Sequence, residues 1–339
     1  TWVGQHEGLF QAYKALRDSD EYLQLDESQR KVIDNTLRDF TLSGVALPPE
    51  KKQRFAQIQA RLSELSSTFS NNVMDATMGW TKHITDESEL AGLPESALAA
   101  AQQAAHQKDL QGWLFTLDIP SYLPVMLYAD NRALREEMYR AYATRASDQG
   151  PNAGEWDNTA IINETLALRS EIASLLGFAS YAERSLATKM ANSTSQVVGF
   201  LRDLAAKSKP QAEKELAEVR AYAAEKHQMD ELEAWDVPYY SEKLKQERYS
   251  ISDEILRPYF PESKALAGLF TVVEKLYGLN ITEVENADTW HKDVRLFSIT
   301  DKDDTLRGQF YLDLYARPKK RGGAWMDECR VRRFQACGE

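Results

Sequence analysis

Apolar residues recur along most of this chain at spacings of three and four, the period of a helix that buries one face. The longest run opens at Pro48-Pro49 and carries Phe55, Ile58, Leu62, Leu65, Phe69 and Val73. It predicts one helix of five or more turns with the whole stripe in a core. Further helices are expected over residues 5–17, 27–43, 94–107, 131–145 and 158–176, with Gly44 and Gly177 as stops. Ser193-Thr194-Ser195-Gln196 has the form of a capping box and opens another helix, and Pro210 begins the next, which reaches about Gln228. Ser252-Asp253-Glu254 caps a short helix, and residues 262–277 form one more, closed by Gly278. Residues 80–84 and 113–117 read as short strands.

The pattern changes near residue 280. Residues 294–300 and 309–315 are β-rich, and the polar turn Asp301-Lys302-Asp303-Asp304 between them predicts a hairpin. On its second strand Phe310, Leu312 and Leu314 share one face, and Tyr311, Asp313 and Tyr315 share the other. The fold class is therefore mainly α. An elongated helical bundle domain over 1–280 is followed by the start of a small β-sheet region over 281–326 and a tail over 327–339.

Composition agrees. In 339 residues there are only 16 Gly and 11 Pro, and 43% are apolar, enough to build a core. The net charge of −11 repels phosphate, which argues against nucleic acid and anionic membrane as partners. No basic region followed by an apolar run opens the chain, and no uninterrupted apolar stretch approaches the ~18 residues that cross a membrane. A cytoplasmic location is expected. The chain begins without Met, which fits a piece of a longer gene. Both cysteines, Cys329 and Cys337, fall in the last eleven residues, unlike a disulfide framework.

Little in the residues themselves carries chemistry. His6-Glu7-Gly8-Leu9-Phe10 misses a zinc-protease helix because Phe10 stands where the second His is needed to reach the same metal. His83, His106, His227 and His291 are scattered singly. Asp301, Asp303 and Asp304 fail as a calcium loop, since Leu312 occupies the twelfth place, which requires a bidentate Glu. Cys329 and Cys337 lack CxxC spacing, and no nucleophile elbow, P-loop or dinucleotide fingerprint occurs. No catalytic residue and no metal ligand is assigned on these grounds.

Three stretches carry a specific likeness. The first runs from Asp157-Asn158-Thr159 through Leu168-Arg169-Ser170-Glu171 and Leu175-Leu176-Gly177-Phe178 to Lys189-Met190-Ala191. The second is Trp235-Asp236-Val237-Pro238-Tyr239-Tyr240, with Tyr249-Ser250-Ile251-Ser252-Asp253 and Tyr259-Phe260-Pro261 after it. The third spans residues 308–325, from Gly308-Gln309-Phe310-Tyr311 to Arg321-Gly322-Gly323-Ala324-Trp325. Together they resemble the thimet-oligopeptidase family of zinc metallopeptidases, over about residues 1–326.

The resemblance implies a helical ellipsoid split by a narrow channel, typically monomeric, that hydrolyses short unstructured peptides. In that family zinc is held by the two His of HExxH and a later Glu, and the motif Glu is the general base. That helix lies beyond the Gly-Ala-Trp stretch, and this chain stops at Glu339 before reaching it. No zinc ligand or base carries over, so the chain alone is expected to bind no zinc and to cleave no peptide. After Met326 the tail turns basic; a shifted reading frame and a divergent terminus both fit. What does carry over is substrate binding. Gly322, Gly323, Ala324 and Trp325 are placed for an edge strand that pairs with extended peptide, or for an ordinary turn and strand start. Arg317 and Arg321, with Lys319 and Lys320, are placed to attract a peptide carboxylate, or form a solvated basic loop.

Two functional readings compete: the non-catalytic part of a metallo-oligopeptidase, and a helical peptide- or partner-binding module without catalysis. In either, a hairpin at a chain end has few neighbours, so Phe310, Leu312, Leu314, Trp325 and Phe334 are expected to stay exposed and to favour association.

Overall fold

The computed structural model of the protein describes residues 3–331. Its helices, in chain order, are α1 (Glu7–Arg17), α2 (Asp20–Gln24), α3 (Glu27–Leu42), α4 (Pro49–Met78), α5 (Glu95–His106), α6 (Ile119–Tyr128), α7 (Arg132–Ala143), α8 (Thr159–Leu175), α9 (Tyr181–Leu186), α10 (Thr194–His227), α11 (Val237–Tyr249), α12 (Asp253–Leu256) and α13 (Glu262–Tyr277). The strands are β1 (Thr81–Ile84), β2 (Trp113–Thr116), β3 (Asn280–Glu283), β4 (Arg295–Thr300) and β5 (Leu306–Leu312). The protein is mainly α, as its periodicity indicates. Two compact units share the chain: residues 1–76 with 144–218, and residues 77–143 with 219–339.

In the first unit, Phe55, Ile58 and Leu65 of α4 are buried with Leu168 and Ile172 of α8, and Leu62 packs beside them. The stripe is not buried to its end: Phe69 is 39% exposed. Arg54 and Arg61 reach across to Glu171 and Glu164 in two-pronged ion pairs of 2.6–2.7 Å. These are solvent-exposed and contribute little beyond alignment. Helix α10 opens as its cap residues suggest: Ser193 Oγ accepts from the Gln196 N–H at 3.1 Å, while the Gln196 side chain accepts from the N–H of Asn192. The expected new start at Pro210 does not occur. Pro210 lies inside the 34-residue α10. Its ring removes one donor and crowds one carbonyl, but its φ is compatible with helix, and the segment is exposed, so water meets the freed carbonyl of Ala206.

In the second unit, β1 and β2 pair antiparallel with Thr81 opposite Thr116. They join a core of Trp80, Ile84, Leu90, Phe115, Leu117, Val125, Leu134 and Met138. The Trp235-to-Tyr240 motif is held by charge. Asp236 is fully buried and takes Arg135, also buried, at 2.8 Å and Arg132 at 2.7 Å. Burial alone would raise the Asp236 carboxyl; the two guanidinium groups and the Glu233 N–H outweigh it and hold it below its ordinary value. Such a pair is costly to break, by about 3–5 kcal/mol when one partner is removed. Tyr239 adds a 2.5 Å hydrogen bond to Asp130.

The second sheet has the order β3-β4-β5, antiparallel throughout, with Phe297 opposite Phe310 and a bulge at Ile299/Thr300. Its first strand, β3, escaped the sequence pattern. Its last strand is displaced: β5 ends at Leu312 rather than reaching Tyr315. Of the side chains expected to be exposed, Leu314 and Trp325 are, while Phe310 and Leu312 are half-buried, Phe310 stacking on Phe297 at 5.3 Å. Phe334 and Cys337 lie outside the described residues.

Candidate functional site

The segment after β5 is shaped by one carboxylate. Arg317 grips Asp313 with two hydrogen bonds, 2.6 Å to Oδ1 and 2.8 Å to Oδ2. Lys320 Nζ lies 3.0 Å from Oδ1 and also donates to the main-chain oxygens of Asp313 (2.6 Å) and Tyr315 (2.7 Å). The indole N–H of Trp290 completes the set at 3.1 Å. The bonds from Arg317 hold the Asp313 carboxyl well below the usual carboxylate range, with Lys320 and Trp290 reinforcing them against partial burial. Because Lys320 draws two carbonyls inward, the backbone past Leu312 leaves the ladder, which is why the strand is shorter than the alternation suggests.

The surroundings tie this clamp to the sheet and to α13. Tyr311 packs on Trp290 with ring centroids 5.0 Å apart and donates to the Asp288 carbonyl at 3.2 Å. Tyr315 hydrogen-bonds the Glu262 carboxylate at the start of α13, and that contact raises the Tyr315 phenol. Downstream, the Lys319 N–H meets Met78 Sδ at 3.1 Å.

The sequence-derived substrate residues divide accordingly. Arg317 is half-buried and engaged with Asp313, so it organises the loop. Arg321, Gly322, Gly323, Ala324 and Trp325 are exposed and lie in no strand. Gly323 has φ +96°, a conformation an L side chain rarely adopts, and space is open around both glycines. Trp290 and Glu262 were missed. They stand 23 and 53 positions from their partners, and no local pattern signals either. The pairing of Asp313 with Arg317 was not read either, since spacing of four signals an ion pair only on a helix and residues 313–317 are not helical.

Three of the five histidines have structural explanations. His6 Nδ1 accepts from the Leu9 N–H at 3.0 Å and caps α1, while Glu7 pairs with Lys52 at 2.7 Å. His83 Nε2 lies 2.6 Å from the Gln111 carbonyl, and His227 packs against Tyr222 and Tyr240. Among the described residues, no group of three His, Cys, Asp or Glu side chains converges to hold a metal ion. No described helix is long and apolar enough to cross a membrane.

The family model described as peptidase family M3 matches residues 125–337, and one described as the neurolysin/thimet oligopeptidase N-terminal domain matches residues 1–52. The chain belongs to peptidase family M3. It is 64% identical to oligopeptidase A of Escherichia coli strain K12 over 329 residues, which is 97% of this chain and 48% of that protein. It is 60% identical to oligopeptidase A of Haemophilus influenzae over 338 residues, 100% of this chain and 50% of that one. A probable cytosolic oligopeptidase A of Arabidopsis thaliana is 41% identical over 337 residues, 96% of this chain and 47% of that one. The chain spans about half the length of the curated relatives it matches.

Proposed function

We propose that this chain is the non-catalytic part of a zinc metallo-oligopeptidase that cleaves short unstructured peptides, and that Arg321, Gly322, Gly323, Ala324 and Trp325 contact the peptide while Arg317 positions them. The observation that carries the reading is the match to relatives named oligopeptidase A across nearly the whole chain. Zinc would supply the activated water in the intact family member. The side chains described here do not fit a zinc site, so no catalytic step is assigned to them. Their contribution is binding. An exposed segment with two glycines, paired in no strand, offers main-chain donors and acceptors, which recognise a peptide without regard to its sequence. Trp325 adds an apolar surface, and Arg321 a cation for a terminal carboxylate. The same reading makes nucleic acid and membrane poor partners of a chain at −11 and places the protein in the cytoplasm as a monomer.

The test uses a fluorescein-labelled unstructured decapeptide and a quenched fluorogenic peptide with added zinc. Saturable anisotropy change is expected, weakened about tenfold by Trp325→Ala, with no chelator-sensitive turnover by this chain. Chelator-sensitive turnover in protein free of host peptidase would overturn the non-catalytic part. Absence of saturable binding would overturn the peptide-binding part.

A further inference from the structure

Helix α13 is apolar on two sides. Leu266, Phe270 and Val273 turn toward the β3-β4-β5 sheet, with the Phe270 ring 5.3 Å from Phe297. A second set, Ala265, Leu269, Val272 and Leu276, recurs at spacings of four, three and four, roughly 100° around the axis from the first. All four are exposed, Leu276 by 67%, and no residue of α13 is buried. A surface helix needs one apolar stripe, and a helix apolar over so wide an arc is ordinarily covered on both sides. The sheet it packs on is open too: among the described residues β5 pairs only with β4.

We propose that the Leu269–Val272–Leu276 stripe of α13 is a docking surface, and that its occupant is polypeptide from the part of an M3-family chain that this chain does not span. The inference rests on the family membership and is independent of whether this chain binds peptide. Two observations select the occupant. This chain aligns with 48% of the Escherichia coli relative while matching 97% of itself, so about as much polypeptide again belongs to such a protein. A second copy fits poorly. The exposed lysines Lys264 and Lys275 fall along one border of the stripe at helical spacing, and a two-fold pairing of antiparallel α13 stripes sets Lys264 of one copy against Lys275 of the other. The stripe instead suits an apolar surface edged with carboxylates.

The experiment co-expresses this chain with a polypeptide covering the part of Escherichia coli oligopeptidase A outside the match. Sedimentation velocity then reads the complex, and hydrogen exchange reads α13. A 1:1 complex is expected, with slowed exchange over α13. The Leu269→Asp/Leu276→Asp pair should weaken it at least tenfold, while Val32→Asp, an equally exposed apolar position on α3, should leave it unchanged. Circular dichroism checks that each variant is folded, and Leu276→Ser provides a milder second variant. No complex, a complex indifferent to the stripe, unchanged exchange over α13, or a homodimer broken by the stripe variants would each overturn the assignment. Peptide affinity is measured separately, so a failure here is distinct from a failure of the peptide-binding reading.

Discussion

Asp313 shows how much a single carboxylate arranges. It receives Arg317, Lys320 and Trp290, and through Lys320 it closes the backbone on itself. Asp313→Asn keeps the shape and removes the charge that the two cations face. Exchange over residues 314–321 should accelerate several-fold, and peptide affinity should fall, while the thermal midpoint of the helical body stays put. The pH dependence has a definite sign. The folded carboxyl is held below its ordinary value of 3.8. The clamp therefore adds stability at neutral pH and at every pH above the unfolded value, and loses it as the pH falls from there toward the lowered folded value. Exchange of the loop measured from pH 7 down to pH 3 should show protection that persists to pH 4.5 and declines below it; a decline beginning near pH 6 would exclude Asp313 as the controlling group. At this scale legibility depends on distance along the chain. The cap at Ser252 was readable, its Oγ accepting from the Ile255 N–H three residues on at 3.3 Å. The Asp236 pair joins residues more than a hundred positions apart, and nothing local announces that this aspartate is buried.

Helices were readable wherever a stripe, a cap and a stop coincided, as in α13, which runs from Glu262 to Tyr277 and is closed by Gly278 in a left-handed conformation. Strands were less so. The alternation read over residues 309–315 continues past the end of β5 at Leu312, so period alone cannot place the terminus; the pull of Lys320 on two carbonyls does. Likewise the 3.6-residue period of α4 continues through Phe69, though burial has weakened there. Pro210 misled because proline is a reliable break only where the helix cannot give up a hydrogen bond. In α10 the neighbouring residues are exposed, and the helix tolerates it. That tolerance has a cost, since proline in a helix interior is about 3 kcal/mol less favourable than alanine. Pro210→Ala restores the donor to the Ala206 carbonyl and should stabilise the unit that contains it by about 1–3 kcal/mol. Urea unfolding followed at 222 nm gives the shift in midpoint; an unchanged or lower midpoint would mean that the lost hydrogen bond at Pro210 costs the folded helix nothing.

At the scale of the whole molecule, the described residues form two units with separate cores. The core of residues 77–143 and 219–339 contains twelve buried side chains in its main cluster, from Trp80 to Ala141. The corresponding cluster of the other unit has five, Phe55, Ile58, Leu65, Leu168 and Ile172. Apolar burial is the dominant favourable term in folding, so the smaller core should fail first. The division itself was invisible to pattern. Helices α4 and α10 carry unbroken sequence through it, whereas linkers usually advertise themselves by composition. Calorimetry should therefore show a transition whose calorimetric enthalpy exceeds its van't Hoff enthalpy, resolving into two steps. Ile58→Ala empties a fully buried site of the smaller core and should cost about 2–5 kcal/mol, moving the lower step alone. Met138→Ala, fully buried in the larger core, should move the upper step by a similar amount. A single step, shifted equally by both substitutions, would mean that α4 and α10 couple the two cores strongly enough for them to unfold as one.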